Sequence, residues 1–446
     1  MIDETYLLII LAVAFLFIII MTTKFKVHPF IVLLVTAFGT GIASGIPADE
    51  VISTIGSGFG KTLGSIGIII IFGTTIGVFL QRSGAAFRIA QFTLGLVGKN
   101  RVPQSVSIFG YVVSIPIFCD SGFVILSPLN KTLAKQAKIS MAVMAVVLAS
   151  ALYATHCLVP PHPGPTAAVS FLSESLGSSA QTGLLGQMVL LGLLVAIPGV
   201  IAGYFWAVLY AKRYYVEPVM NADSNEVEIL DKDLPSIWKS FLPILLPVLL
   251  IGLRSFSLLP ASISFIGLPV AALFFGVVSA LFLVPKWSEE IFNGWIGDGI
   301  KDAGVILAIT AAGGAFGSIL RETSISTYLG ATLSTWELGL FLPFLIAAAI
   351  KTAQGSSTVA IITTAPLVAE ALPALGLATG YGPVLALLAM GAGSMVVSHA
   401  NDSFFWVVTK FSNLSVNVAY KVFTTATLLI GIVIMFTIYL LSLVLL

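Results

Sequence analysis

Long apolar runs alternate with short polar breaks along this chain, and most runs are long enough to cross a bilayer. A spanning helix needs about 20 mostly apolar residues. Runs of that kind predict helices at about 5–23, 28–47, 62–82, 141–170 and 183–211, and again at about 237–257, 262–284, 299–320, 384–411 and 418–445. Those at about 141–170 and 384–411 are broken by polar residues in the middle. Two further stretches, about 104–130 and 338–372, are polar at their centres and read as helical hairpins.

The breaks fall in corresponding places of two halves. Ile115-Pro116-Ile117-Phe118-Cys119-Asp120-Ser121-Gly122 and Lys351-Thr352-Ala353-Gln354-Gly355-Ser356-Ser357-Thr358 interrupt the hairpins. Thr155-His156-Cys157-Leu158-Val159-Pro160-Pro161-His162-Pro163-Gly164 and Ser398-His399-Ala400-Asn401-Asp402-Ser403 interrupt the broken helices. Interrupted helices at matching places in two halves point to the binding site of a secondary transporter. Non-helical backbone at membrane depth is tolerated only where protein packs on it or a cavity meets it.

A repeat supports the duplication. Lys61, Gly64, Gly73, Gly77 and Leu80 match Lys301, Gly304, Gly313, Gly317 and Leu320 without a gap, and Ser127-Pro128-Leu129 resembles Ala365-Pro366-Leu367. The expected fold class is therefore an all-α polytopic membrane protein of two inverted-topology repeats. Each has about five transmembrane helices, one of them broken, plus a re-entrant hairpin. The first repeat is placed at 1–211 and the second at 237–446. Residues 212–236, rich in Glu and Asp, form a cytoplasmic linker.

Composition fixes the class. The chain is 58% hydrophobic and 9% charged, where a soluble domain is about 25% charged. Asp3 and Glu4 stand where a signal peptide would carry basic residues, so the first run reads as a mature helix. A net charge of +1 gives no sign of nucleic-acid binding. Cys119 and Cys157 fit neither a disulfide framework nor a zinc site and read as buried thiols.

Charge also orients the chain, because cytoplasmic loops are enriched in Lys and Arg. Arg88, Lys99 and Arg101 precede the first hairpin, and Lys131, Lys135 and Lys138 follow it. Its ends are placed inside and its tip near Asp120 to Gly122. The second hairpin lies between Glu337 and Glu370, and its ends are placed outside. Both termini then fall outside the cytoplasm. The scheme strains at Lys61 and Arg254, which it also puts outside.

The motif residues carry the candidate chemistry. Burial disfavours the charged form of a carboxyl, so Asp120 at a water-accessible tip would change protonation as the site changes face. It would alternatively cap the next helix through the amides of Phe123 or Val124. Lys351 would pair with a carboxylate or snorkel to the surface. Gln354, Gly355, Ser356, Ser357 and Thr358 offer hydroxyls and exposed amides at a helix start, which suit an anionic polyol, although small residues also serve close helix packing. His156 and His162 bracket Pro160 and Pro161; they would satisfy freed carbonyls or relay protons. His399, Asn401 and Asp402 form the matching cluster, with Asp402 a second candidate for the proton. Ser121 and Gly122 complete the set of candidate substrate contacts. The small-xxx-small pattern of Gly73, Gly77, Gly313 and Gly317 reads as close static packing or a sliding surface.

At these residues the chain resembles the gluconate permease family of proton-coupled sugar-acid transporters. The resemblance rests on Phe118-Cys119-Asp120-Ser121-Gly122, on Val159-Pro160-Pro161-His162-Pro163-Gly164-Pro165, on Gln354-Gly355-Ser356-Ser357-Thr358 and on His399-Ala400-Asn401-Asp402, and it runs essentially end to end. It implies the fold of the larger ion-transporter superfamily, with a scaffold and a mobile transport domain, commonly in a dimer in the inner membrane. It implies proton symport of gluconate or a related small carboxylate, with no cofactor beyond the proton. Relatives take D-serine, idonate, glycerate or hydroxybutyrate; the His399 to Asp402 string looks more like the sugar-acid members. Sodium coupling is the alternative within the fold. No Gly-x-Ser-x-Gly, His-Glu-x-x-His or ATP-binding string supports an enzyme or a primary pump.

Overall fold

The computed structural model describes residues 4–98, 101–177, 181–218, 234–255, 258–284, 288–323, 338–399 and 402–446. Every regular element among them is helical. In chain order these are α1 (Glu4–Thr23), α2 (Pro29–Ala43), α3 (Ala48–Arg82), α4 (Ala85–Val97), α5 (Val102–Val113), α6 (Cys119–Ala137), α7 (Met141–Leu158), α8 (Pro163–Leu176) and α9 (Gln181–Leu209). There follow α10 (Ile237–Ser255), α11 (Pro269–Leu281), α12 (Ile296–Glu322), α13 (Phe341–Gln354), α14 (Ser357–Ala371), α15 (Gly382–Ser394), α16 (Ser403–Phe411) and α17 (Val416–Leu445).

Proline marks several starts. It occupies one of the first two positions of α2, α5, α8, α11 and α15, where its missing N–H leaves no hydrogen bond unmade. Among the described residues, five helical spans are long and apolar enough to cross a bilayer: Met141–Leu176, which holds α7 and α8, Gly183–Arg213, Ile237–Arg254, Asn293–Glu322 and Val416–Leu445. The α3 helix makes a sixth if its 46° bend between Ser65 and Gly67 lies within one span.

The centre is built from α7 and α15, in which every residue is buried. Around them α5 packs on α7 as α13 packs on α15, and α7 contacts α9 as α15 contacts α17. The halves also interlock, because α8 packs on α14, α6 on α16 and α3 on α12. Glycine permits the last crossing: a Cβ on Gly58 would meet Ser318 Oγ at 2.3 Å, and one on Gly314 would meet Thr62 Oγ1 at 1.9 Å. The periphery exposes large apolar side chains such as Leu16, Val35, Leu249 and Phe274. In a bilayer that face meets hydrocarbon, which is what apolar surface of this extent requires.

Several elements differ from the sequence reading. The α3 helix starts at Ala48 rather than near 62, because Val51 and Ile55, one turn apart, bury against the core while Asp49 and Glu50 favour the N-terminal dipole end. The α4 helix was not anticipated. Thirteen residues rise about 20 Å, too short to span. Its buried stripe of Ala86, Ile89, Ala90 and Thr93 identifies it as a one-faced helix. The predicted helix at 262–284 contracts to α11, since Pro269 sets its start. Of the predicted linker, 219–233 lies outside the described residues.

Candidate functional site

Four helices begin at one place. Residues of the first turns of α6, α8, α14 and α16 line a single cavity of about 250 Å³: Cys119 to Ser121, Pro163, Ser357 to Val359, and Ser403 with Phe404. The first N–H groups of a helix have no intrahelical partner, and its N-terminus carries the positive end of the macrodipole. The cavity is thus ringed by orphan donors, a setting made for an anion. Tyr153 and His156 of α7, Ile306 and Ile309 of α12, Ile362 of α14, and Phe118, Ser356 and Asp402 at the N-caps complete the wall.

The four ends are not equally open. The α8 end offers few donors, because Pro163 and Pro165 have no N–H and Thr166 N–H already bonds His162 O at 3.0 Å. In α14 the Ser356 hydroxyl accepts from Val359 N–H at 3.3 Å, and in α16 Asp402 Oδ1 accepts from Phe404 N–H at 3.0 Å. Only α6, with Phe118 at its N-cap, has no side-chain cap among the three remaining ends. The least satisfied amides around the cavity therefore belong to the turn that carries Asp120. Oδ1 of that carboxylate is buried without a hydrogen bond of good geometry, Oδ2 accepts from the Cys119 thiol at 3.8 Å, and the Ser403 hydroxyl lies beside the carboxylate.

Behind this wall the broken ends are tied together. Lys351 is 0% exposed and does not snorkel. Its Nζ lies 2.6 Å from Asp402 Oδ2 and also donates to the carbonyl of Gly355, at the turn between α13 and α14. Gly355 takes φ 94, the left-handed region that glycine enters without strain. Ser398 donates its hydroxyl to the same Asp402 oxygen. The backbone of this break is completed by α17, where Thr427 accepts from Ser398 N–H at 3.0 Å and Thr424 donates to Ser398 O at 2.6 Å. In the first half His162, at the N-cap of α8, donates from Nε2 to Ser114 O at 2.6 Å, at the turn between α5 and α6.

Of the residues expected to contact substrate or proton, Asp120, Ser121, His156, Ser356, Ser357, Thr358 and Asp402 line the cavity. Lys351, Gly355 and His162 stand behind it in the ties just described. Gly122 packs against Leu152, where a Cβ would lie 3.0 Å from a methyl. Pro161 fits beneath Gly73, and His399 Nε2 donates to Thr352 O at 2.9 Å, away from the cavity. Neither Pro160, Pro161 nor His399 lines it. Asn401 and the side chain of Gln354 lie outside the described residues. The turn of the first hairpin falls at 114–118, so Asp120 sits inside the first turn of α6 and does not cap it. Both cysteines are free and buried.

The sequence reading passed over Tyr153, Ile306 and Ile309, and gave Ser403 a place in the second break but no role of its own. The isoleucines lie in an unbroken apolar run, and Tyr153 reads as one more core aromatic. Its signal was position: it stands one helical turn before His156 on the same face.

Comparison with known proteins places the chain in a family. The profile of the GntP family permease matches residues 6–444. A gluconate permease of Pseudomonas aeruginosa is 33% identical, with 99% of each chain covered. The Gnt-II system L-idonate transporter of Escherichia coli is 34% identical over 95% of this chain and 96% of its own. Among solved structures, the YdaH transporter of Alcanivorax borkumensis shares the fold with a TM-score of 0.69 at 15% identity, covering 93% of this chain and 98% of that one. A cavity ringed by helix N-termini, inside an apolar all-helical chain of this ancestry, belongs to a membrane transporter rather than an enzyme, and the chain is a member of the GntP family of permeases.

Proposed function

We propose that this chain imports gluconate or a related small hydroxy or sugar acid across the inner membrane by symport with a proton. The observation that carries the reading is the convergence of four helix N-termini on one cavity, with the most open of them bearing the carboxyl of Asp120. A substrate carboxylate accepting from the amides of Cys119, Asp120 and Ser121 sits beside that carboxyl. Two carboxylates sharing one site resist being ionised together, so binding the acid and binding a proton favour each other. Asp402 is poorly placed for this role because Lys351 holds it as a carboxylate partner. Sodium is less well suited, since the cavity presents N–H ends rather than carbonyl oxygens.

The reading includes alternating access by two inverted repeats with re-entrant hairpins. It is supported by the recurrence of helix pairings between halves and by one asymmetry. Gly73 and Gly77 of α3 meet Pro161 and Pro116, at the breaks, whereas Gly313 and Gly317 of α12 meet Ile362 and Pro366, well along α14. If the halves exchange these contacts, each hairpin slides by about nine helical residues, on the order of 14 Å. The reading also includes a homodimer, which the mass of the detergent-solubilised protein checks.

The test is uptake of labelled gluconate into proteoliposomes under an inward proton gradient, with and without a protonophore, beside Asp120→Asn. Accumulation that the protonophore abolishes, and that Asp120→Asn loses while keeping gluconate exchange, is the expected result. Uptake indifferent to the proton gradient would remove proton symport.

A further inference from the structure

Among the described residues, three buried polar atoms on the cavity wall lack a hydrogen bond of good geometry: the Tyr153 hydroxyl, which has only the Ser357 hydroxyl close by, His156 Nδ1 and Asp120 Oδ1. Asp120 is accounted for above. The other two belong to one turn of α7, and both rings are fixed. The ring of Tyr153 lies 5.2 Å from that of Phe404, with Lys351 Nζ 5.9 Å from its centroid, and the residue is 1% exposed. His156 is held between His162, at 4.7 Å, and Phe118, at 6.0 Å. Held rings with unsatisfied tips are the arrangement of a reader. Leaving such atoms dry is costly, and a phenol and an imidazole nitrogen together can give and take hydrogen bonds as alcohol groups do.

From this we infer that Tyr153 is a specificity-determining residue, which with His156 hydrogen-bonds the substrate's hydroxyl groups beyond C2. The inference rests on the transport reading given above and deepens it. The carboxylate is held by the amide ends, which cannot tell one acid from another. Selection then falls to the side chains facing the rest of the molecule. A site built to bond a hydroxyl rejects an analogue without it, because its own polar groups are left unpaired. The Ser357 hydroxyl faces Tyr153 and belongs to the same patch. Ile306 and Ile309 close the opposite side with apolar surface that bonds nothing.

Binding of gluconate and of 2-hydroxybutyrate to the purified full-length protein, by calorimetry on wild type, Tyr153→Phe and His156→Gln, tests this. Tyr153→Phe keeps the ring and its packing, so thermal stability is expected to stay at the wild-type value. Gluconate affinity is expected to fall about tenfold or more, the loss of one hydrogen bond, and 2-hydroxybutyrate affinity to stay within about twofold of wild type. His156→Gln retains a side-chain amide and is expected to lose less for gluconate than Tyr153→Phe. Equal losses for both acids, no loss for either, or a fall in stability that accounts for the change would overturn the assignment while leaving the transport reading intact. Failure of the wild-type protein to bind any of the acids would remove both.

Discussion

The two halves hold their broken helices by different chemistry. In the first, the N-cap of α8 is His162, which donates to the carbonyl of Ser114 at the turn of the adjoining hairpin. In the second, the N-cap of α16 is Asp402, tied through Lys351 to the Gly355 carbonyl at the turn of the other hairpin. Both joints connect the cap of a broken helix to the turn of a hairpin, and both satisfy a carbonyl that the break has freed. One uses a single histidine and the other a buried ion pair. The lesson is that the geometry is duplicated while the energetics are not. The ionic joint carries a desolvation cost that only mutual pairing offsets, so it tolerates loss of one partner far less well.

The largest effect expected from breaking this comparison is at the ionic joint. Lys351→Met leaves Asp402 buried and uncompensated, which costs about 3–5 kcal/mol in such settings. Thermal unfolding in detergent should show a large loss for Lys351→Met. Adding Asp402→Asn, which keeps the cap on Phe404, should recover much of it. A double variant no more stable than Lys351→Met would mean the pair is not the source of the effect.

A smaller effect is expected at the neutral joint. His162→Ala orphans the Ser114 carbonyl, a loss of about 1–3 kcal/mol, whereas His162→Gln, which can still donate, should lose less. If His162→Ala destabilised as much as Lys351→Met, the contrast between the joints would fail.

The third experiment leaves stability aside and sharpens the relation between the halves. In a background of Cys119→Ser and Cys157→Ser, a cysteine pair at Gly317 and Pro366 should cross-link in the state described here, since a Cβ on Gly317 would lie 2.9 Å from that of Pro366 and a parting of the helices by about 1 Å brings the two Cβ atoms to disulfide separation. The corresponding pair at Gly77 and Pro128 should cross-link only in the opposite state, and more readily during turnover. Absence of the second cross-link in actively transporting vesicles would exclude exchange of contacts between the halves.

Much of this was open to a reader of the sequence, for physical reasons. A polar group inside an apolar run is conspicuous, and so Asp120, His156, Ser356 to Thr358 and Asp402 stood out; all of them line the cavity. The pairing of Lys351 with an acid was one of two readings, and burial decides it against snorkelling. The convergence of four N-termini was not visible, because it depends on how α8 meets α14 and α6 meets α16, contacts between halves that no local pattern encodes. Tyr153 was missed because a phenol among apolar neighbours looks like packing. The α4 helix does not stand out because its thirteen residues are too short for a membrane-spanning run and Arg88 and Gln91 interrupt its apolar sequence.

The ion pair has one more consequence, which is electrical. Lys351 and Asp402 are bound to each other, so any motion of this region relative to the membrane carries the pair as a dipole with no net charge. A lone ammonium moved through the whole field would exchange about 2.3 kcal/mol per 100 mV with it, and the rate of reorientation would then follow the voltage. With the pair intact that contribution vanishes. The voltage dependence of that reorientation then draws no share from this joint.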